Sequence, residues 1–356
     1  MKKSISFLLT AALTVTAFTG CSSNAGSSSS ASSAQNSSAP ASSSATAAGS
    51  VKTGVAVISS VAKSTAVKDG KGVAEGDSTI VAVTVDGSGK IVKCVIDAVQ
   101  SKINFSDQGK ILDKTDAAVK SKDELGADYG LGKVSKIKKD WNEQAQAFAD
   151  YVKGKTVEEI KGIAVDSEGH ATGTELTSSV TISIGDFVDA IEQAVANAQD
   201  LGAKANDKLG LGIVTSLSSS ADATADQEGK AEASSQISAV TFGSDGKITS
   251  CVNDAVQPTV SFDVSGKITT DLSKEVESKD ALKESYGMKK ASKIGKEWYQ
   301  QAASFAQYVK GKTVDEVKGI KVNESGEPTD QELTASVTFG VSDFIANIEE
   351  ASKNAK

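Results

Sequence analysis

The sequence predicts an α+β protein made of two tandem homologous domains, each a small antiparallel sheet with packed helices. Three observations predict it. Cys94, Trp141 and Thr181 recur as Cys251, Trp298 and Thr338 at a constant offset of 157, without a gap from about Lys90/Lys247 to Phe187/Phe344. A unit that long is a whole domain rather than a solenoid repeat. Within each unit, runs of alternating apolar and polar residues flank a short Gly/Asp/Ser turn, the signature of a hairpin. Helix-period apolar stripes follow, opened by capping boxes. Strands first and helices after describe an α+β layout, with boundaries at 51–203 and 204–356.

Ahead of the repeats, residues 1–20 read as a secretory signal peptide. Lys2 and Lys3 precede an apolar run at 7–18 that is too short for an ordinary spanning helix. The run ends Phe18-Thr19-Gly20-Cys21, which resembles a bacterial lipobox. That resemblance implies cleavage before Cys21 and lipidation of its thiol, and so a body held on the extracytoplasmic face of the cell membrane. Each buried CH₂ of an acyl chain contributes about 0.8 kcal/mol to such anchoring. The alternative is an ordinary signal peptide with a chance cysteine. Residues 22–50 are nearly all Ser, Ala and Asn, too polar and small to bury a core, and are expected to form a tether.

Composition narrows the function. Net charge is −8, and every basic residue apart from His170 is Lys, with no Arg in the chain. Nucleic-acid readout leans on Arg forks and a basic face, so no nucleic-acid partner is expected. Aromatics make up only 5% of residues, so the cores must be largely aliphatic. Cys94 and Cys251 sit at equivalent points inside apolar runs. They are a redox pair, a disulfide, or two buried core thiols, one per domain, and the frequent burial of free Cys favours core thiols.

Taken in order, 55–66 is expected to open the first sheet. Residues 79–85 alternate as a strand, Asp86-Gly87-Ser88-Gly89 turns, and 91–98 returns with Ile91, Lys93, Val95 and Asp97 on one face. Ser106-Asp107-Gln108-Gly109 is a further turn. Ser121-Lys122-Asp123-Glu124 opens a short helix ending near Gly130. Residues 140–152 carry the stripe Trp141, Ala145, Phe148 and Val152, and Gly154 ends that helix. Thr156-Val157-Glu158-Glu159 and Thr313-Val314-Asp315-Glu316 are further capping boxes. A last helix is expected over 186–199. Trp141 and Trp298 read as core anchors; Tyr129 and Tyr286 read equally as core or as stacking platforms for a planar ligand.

The stretch 175–187, ELTSSVTISIGDF, and its echo at 332–344, ELTASVTFGVSDF, carry the functional reading. Small hydroxyl residues ahead of a helix offer unpaired N–H groups and the positive end of its dipole, a seat for phosphate. The plain alternative is a junction whose Ser and Thr cap the helix. The stretch resembles the FMN-binding domain family of bacterial respiratory and extracellular electron-transfer proteins. That family carries an Asp, two spacers, Ser-Gly-Ala-Thr, one spacer and Ser/Thr before a helix, and a flavin transferase esterifies FMN through its phosphate to the Thr. The match is Glu175, Ser178, Ser179, Val180, Thr181 and Ser183 in repeat 1. In repeat 2 it is Glu332, Ala335, Ser336, Val337, Thr338 and Gly340. The hairpins with Gly89-Lys90-Ile91 and Gly246-Lys247-Ile248 also look like that family. The departures are Glu for Asp, Ser for Gly and Val for Ala in both copies, and the loss of the last hydroxyl at Gly340.

The resemblance implies a surface flavoprotein carrying electrons, with FMN at Thr181 and secondarily Thr338, a flavin transferase and a membrane electron donor as partners. An electron-transfer or binding protein is favoured over a turnover enzyme. The alternative is a flavin-free lipoprotein serving as a ligand-binding or interaction module. His170 is the only His and faces Glu327 in the repeat, which disfavours a His triad or a paired metal site. Gly130-Leu131-Gly132 and Gly210-Leu211-Gly212 do not make a dinucleotide fingerprint.

Overall fold

A computed structural model describes residues 49–356. The expected signal peptide, Cys21 and nearly all of the tether lie outside the described residues. The first repeat runs β1 (Lys52–Ser60), β2 (Thr65–Lys68), β3 (Lys71–Val85), β4 (Ile91–Ser106), then α1 (Lys122–Leu125), α2 (Leu131–Val134), α3 (Trp141–Tyr151), α4 (Val157–Lys161), α5 (Thr174–Thr177) and α6 (Gly185–Ala196). The second runs β5 (Lys208–Ser216), β6 (Gly229–Glu232), β7 (Ser234–Phe242), β8 (Ile248–Val256), β9 (Thr259–Phe262), then α7 (Lys279–Leu282), α8 (Trp298–Val309), α9 (Val314–Lys318), α10 (Gln331–Thr334) and α11 (Ser342–Asn354). The α+β class is as the sequence predicts.

In both repeats all strand pairings are antiparallel. The order is β1-β3-β2 with β4 on β3, and β5-β7-β8 with β6 paired to β9. The long hairpin β3–β4 has a broken counterpart in repeat 2. Pro258, with no N–H to give, sits where β8 passes into β9, and Ala233 donates to its carbonyl at 3.1 Å. The turn after β3 is built by Asp86, whose Oδ1 accepts from the N–H of Ser88 and of Lys90.

One face assignment differs from the alternation of the sequence. Val85 pairs with Ile91 but Thr84 pairs with Lys93, so Val92 is an extra residue. Such a bulge reverses the alternation. Ile91 therefore joins Cys94, Ile96 and Ala98 in the core under the helices, rather than lying with Lys93, Val95 and Asp97. Repeat 2 carries the same bulge between Thr241 and Phe242.

Each sheet is covered on both faces. On one face of the first sheet Ala56, Val81, Val83 and Cys94 meet Trp141, Phe148, Phe187 and Ile191 of α3 and α6. On the other face Val55, Val57, Ile80, Ala82 and Val99 meet Leu209, Leu211, Ile213 and Ile237 of the second sheet. The layers therefore run helix, sheet, sheet, helix. The two repeats share this central core, and the described residues 49–356 fall in one compact unit. Farther along, Phe105 stacks on Phe262, its own counterpart, with ring centres 4.5 Å apart and planes 7° apart. A buried bond from Thr53 to Ser250, 2.7 Å, also ties the repeats.

The Gly210-Leu211-Gly212 run has a packing reason. A Cβ on Gly210 or Gly212 would collide with the backbone carbonyls of Ala351 and Asn347, so the glycines let α11 lie directly on β5. Asn347 itself is fully buried, and neither of its amide atoms has a hydrogen-bond partner among the described residues. Its counterpart in repeat 1 is Ala190. An unpaired buried amide costs about 1–3 kcal/mol. Asn347→Ala should therefore raise the thermal midpoint by a few degrees; a lower midpoint in a calorimetric scan would refute this account of the residue.

Candidate functional site

The site starts from α3. Asp140 caps it, with Glu143 completing the capping box. Trp141, Ala145 and Phe148 bury its inner face, and Gln144 lies on that same face, fully buried. A buried amide must be paired, and here it is. Gln144 Nε2 donates to Ser135 Oγ (3.2 Å) and to the Lys139 carbonyl (3.0 Å). Its Oε1 accepts from both the N–H (2.8 Å) and the hydroxyl (3.2 Å) of Thr181. Repeat 2 repeats the arrangement: Gln301 Oε1 accepts from the N–H and the hydroxyl of Thr338 at 2.8 and 3.1 Å.

The stretch around Thr181 is not the helix N-terminus that the sequence suggests. Ser179 and Val180 both donate their N–H to the Leu176 carbonyl, closing the turn after α5. The Thr181 N–H is taken by Gln144, and α6 begins only at Gly185. The amides of 179–181 are thus paired, and the dipole of α6 does not bear on Thr181. The departures from the family pattern also find their reasons here. Val180 is 1% exposed and fills the core beneath the turn, which a small Ala would leave empty. Ser179 Oγ donates to the Leu176 carbonyl at 3.2 Å, and its backbone is not in the left-handed region that favours glycine.

Thr181 is half-buried and borders an open pocket of about 480 Å³. Leu131, Val134 and Ile182 give that pocket an apolar side; Lys136 gives it an ammonium, His170 an imidazole, and Asp166 and Glu168 two carboxylates beside that imidazole. Val134 is 78% exposed, an unusually bare aliphatic side chain at the rim. His170 Nδ1 lies 3.1 Å from Asp166 Oδ2. Of the residues singled out in repeat 1, Val180, Thr181 and His170 line the pocket, together with Lys136, which the sequence did not single out. Glu175, Ser178 and Ser183 are exposed and do not line it, and Ser179 is spent on Leu176.

Comparison with protein-family models, with curated proteins and with solved structures finds no match. The site must therefore be read from its own geometry.

Repeat 2 surrounds Thr338 differently. Phe339 packs on Trp298, ring centres 5.9 Å apart, where repeat 1 has Ile182. Glu327 stands at the His170 position, with its carboxylate 4.0 Å from the Lys293 ammonium. Glu332 is exposed, and Ser336 Oγ donates to the Leu333 carbonyl. An acid at this place opposes a phosphate; in repeat 1 Lys136 favours one, while Asp166 and Glu168 on the same pocket oppose it. Toward FMN, repeat 1 offers a hydroxyl with free lone pairs, the Lys136 ammonium and an apolar wall for a ring system, set against the carboxylates of Asp166 and Glu168.

The sequence reading missed Gln144 and Gln301. The signal was present. A Gln recurs at the offset of 157, three residues after a Trp and four before a Phe, on the buried stripe of a helix. The other residues singled out are structural. Cys94 and Cys251 are free and buried, and burial pushes both thiols up to about 12. Trp141 packs edge-on against Phe187 at 5.9 Å.

Proposed function

We propose that the chain is a membrane-anchored surface protein that carries FMN on its first repeat, joined through the flavin phosphate to Thr181, and passes electrons outside the cytoplasmic membrane. One observation carries this reading. Thr181 borders an open pocket that pairs an apolar side with Lys136 and His170. When bound, the flavin would supply the one- and two-electron chemistry. The chain supplies position and charge. Gln144 takes the Thr181 hydroxyl proton in a hydrogen bond and fixes the rotamer, leaving the oxygen lone pairs free. Lys136 offsets phosphate charge, and Leu131 and Ile182 exclude water beside it. Partners of this reading are a flavin transferase, a membrane electron donor and, through Cys21, the lipid surface.

The second reading is a flavin-free binding module. The paired amide of Thr181 favours it, because a phosphate seat ordinarily offers open N–H groups.

Intact mass and visible spectrum of the processed protein, coexpressed with a flavin transferase, decide between the two. The expected product is yellow with one FMN per chain. Thr181→Ala should abolish the label, and Thr338→Ala should leave it. Gln144→Ala should slow labelling by about 10- to 100-fold through loss of orientation. A colourless wild-type chain of unmodified mass would sink the flavin reading.

A further inference from the structure

A second open pocket lies in repeat 2, between β9 and the segment around α7. It holds about 370 Å³, within the ~300–1,000 Å³ range of small-molecule sites. Lys279, the first residue of α7, forms part of its wall and is only 8% exposed. The Lys279 ammonium sits 4.8 Å from the Tyr286 ring centre and 5.5 Å from that of Trp298. The ring faces offset its charge, but an ammonium also carries three N–H donors. Among the described residues, no carboxylate forms an ion pair with Lys279 Nζ and no acceptor takes a hydrogen bond from it. A lysine this buried is seldom left unpaired.

The neighbouring groups are already engaged. The Tyr286 hydroxyl donates to Gln257 Oε1 (3.5 Å), and Gln257 Nε2 donates to Glu232 Oε1 (3.0 Å). Glu232 Oε2 takes Lys230 at 3.1 Å and the Thr259 hydroxyl. Glu232 thus uses Oε1 to hold Gln257, and through it Tyr286, and Oε2 to hold Lys230 and Thr259. Repeat 1 has the same chain in Tyr129, Gln100 and Glu75, with Lys122 over Tyr129 at 4.7 Å. There the lysine that neutralises the glutamate is Lys102, from a different strand position than Lys230. The lysine partner has moved between repeats, while the Glu, Gln, Tyr and ring-stacked Lys recur.

The rim chooses the ligand. Exposed Lys274, Glu275 and Glu277 border the pocket of repeat 2, where repeat 1 has Ala117, Ala118 and Lys120. The two carboxylates outnumber the one rim ammonium, Lys274, and so disfavour a phosphate or any multiply charged anion. They suit a ligand that bears a cation as well. We propose that this pocket binds a small zwitterion of the amino-acid or short-peptide type, its carboxylate on Lys279 Nζ and its ammonium on Glu275 and Glu277. The pocket shares no residue with the Thr181 site, so this inference stands apart from the flavin reading.

Titration calorimetry on the chain from residue 46, which contains the whole compact unit described above, tests it. The probes are L-alanine, L-alanyl-L-alanine, acetate, methylammonium and inorganic phosphate. One of the two zwitterions should saturate a single site, and which one does so separates free amino acid from peptide. Acetate, methylammonium and phosphate should bind about tenfold or more weakly. Lys279→Met should weaken the zwitterion by about 10- to 100-fold, as the loss of a charge-assisted bond implies, and Lys122→Met should not. Should Lys279→Met fail to fold, the exposed pair Glu275→Gln with Glu277→Gln should weaken the zwitterion and leave acetate unchanged. No saturable binding of either zwitterion, tighter binding of phosphate, or full binding by the charge variants would overturn the proposal.

Discussion

Phe105→Ala should lower the unfolding free energy by about 3–5 kcal/mol, a large share of what holds an ordinary domain folded. The ring is fully buried and lies flat on Phe262, so its loss removes both its own burial and the stacking partner of the other repeat. Urea unfolding of the chain from residue 46 gives the measurement. Phe262→Ala should cost a similar amount. The double variant should cost less than the sum, because each single change already breaks the same stack. Additive losses would mean that the two rings contribute independently and that the stack itself is incidental.

Stability should also fall as pH rises from about 4 to about 7. Asp97 and its counterpart Asp254 are buried at the edge of the sheets. Burial pushes their carboxyls up to about 7 and about 6, although Ser121, Ser278 and backbone N–H groups pull the other way. Asp97 Oδ1 accepts from the N–H of Ala98 (2.7 Å) and of Asp123 (3.0 Å), which ties β4 to α1. In this window the unfolded chain has ionised and the folded chain still holds its protons. The native state binds more protons, so the slope of stability against pH is negative. The contribution is fully present below the unfolded value near 3.8 and is lost as pH passes the folded values. Each tenfold change in proton affinity is about 1.4 kcal/mol, so the combined loss amounts to several kcal/mol. Asp97→Asn with Asp254→Asn keeps an oxygen for the same N–H donors. The wild type minus variant difference in thermal midpoint should therefore become more negative from pH 4 to pH 8. A pH-independent difference would show that these carboxyls ionise freely in the folded protein.

Much of this architecture is legible in local patterns, because local physics sets it. The stripe of Trp141, Ala145, Phe148 and Val152 becomes the buried face of α3, with only the cap residues at its ends differing. The capping boxes at Ser121, Thr156 and Thr313 form as read. What escapes is whatever depends on partners distant in sequence. The inserted Val92 moves Ile91 to the opposite face, and nothing in the alternation marks it. The run Ile80-Val81-Ala82-Val83 is apolar on both faces, the sign of a strand covered on both sides. Its second cover is the other repeat, which a reading of one repeat at a time does not supply. At the candidate site, Thr181 is visible as a hydroxyl in a recurring motif. Its binding to Gln144 is a contact across 37 residues, and a polar residue on a helix stripe reads as an exception rather than as a tether. The chain turn that separates Thr181 from α6 escaped for a similar reason. The small α5 before it has too few residues to show a period.

The stack of Phe105 on Phe262 has a further consequence. A residue that touches its own equivalent lies on a two-fold axis, as at the centre of an isologous dimer interface. The two halves of this chain meet in that manner, and each would expose an apolar sheet face alone. The connecting segment between α6 and β5 converts what would be a second-order encounter into a first-order one. The partner's effective concentration is then fixed by the 11-residue connection 197–207 and does not depend on how much protein is present. Pairing of the sheets thus survives any dilution, under which a two-chain version of the same interface would come apart.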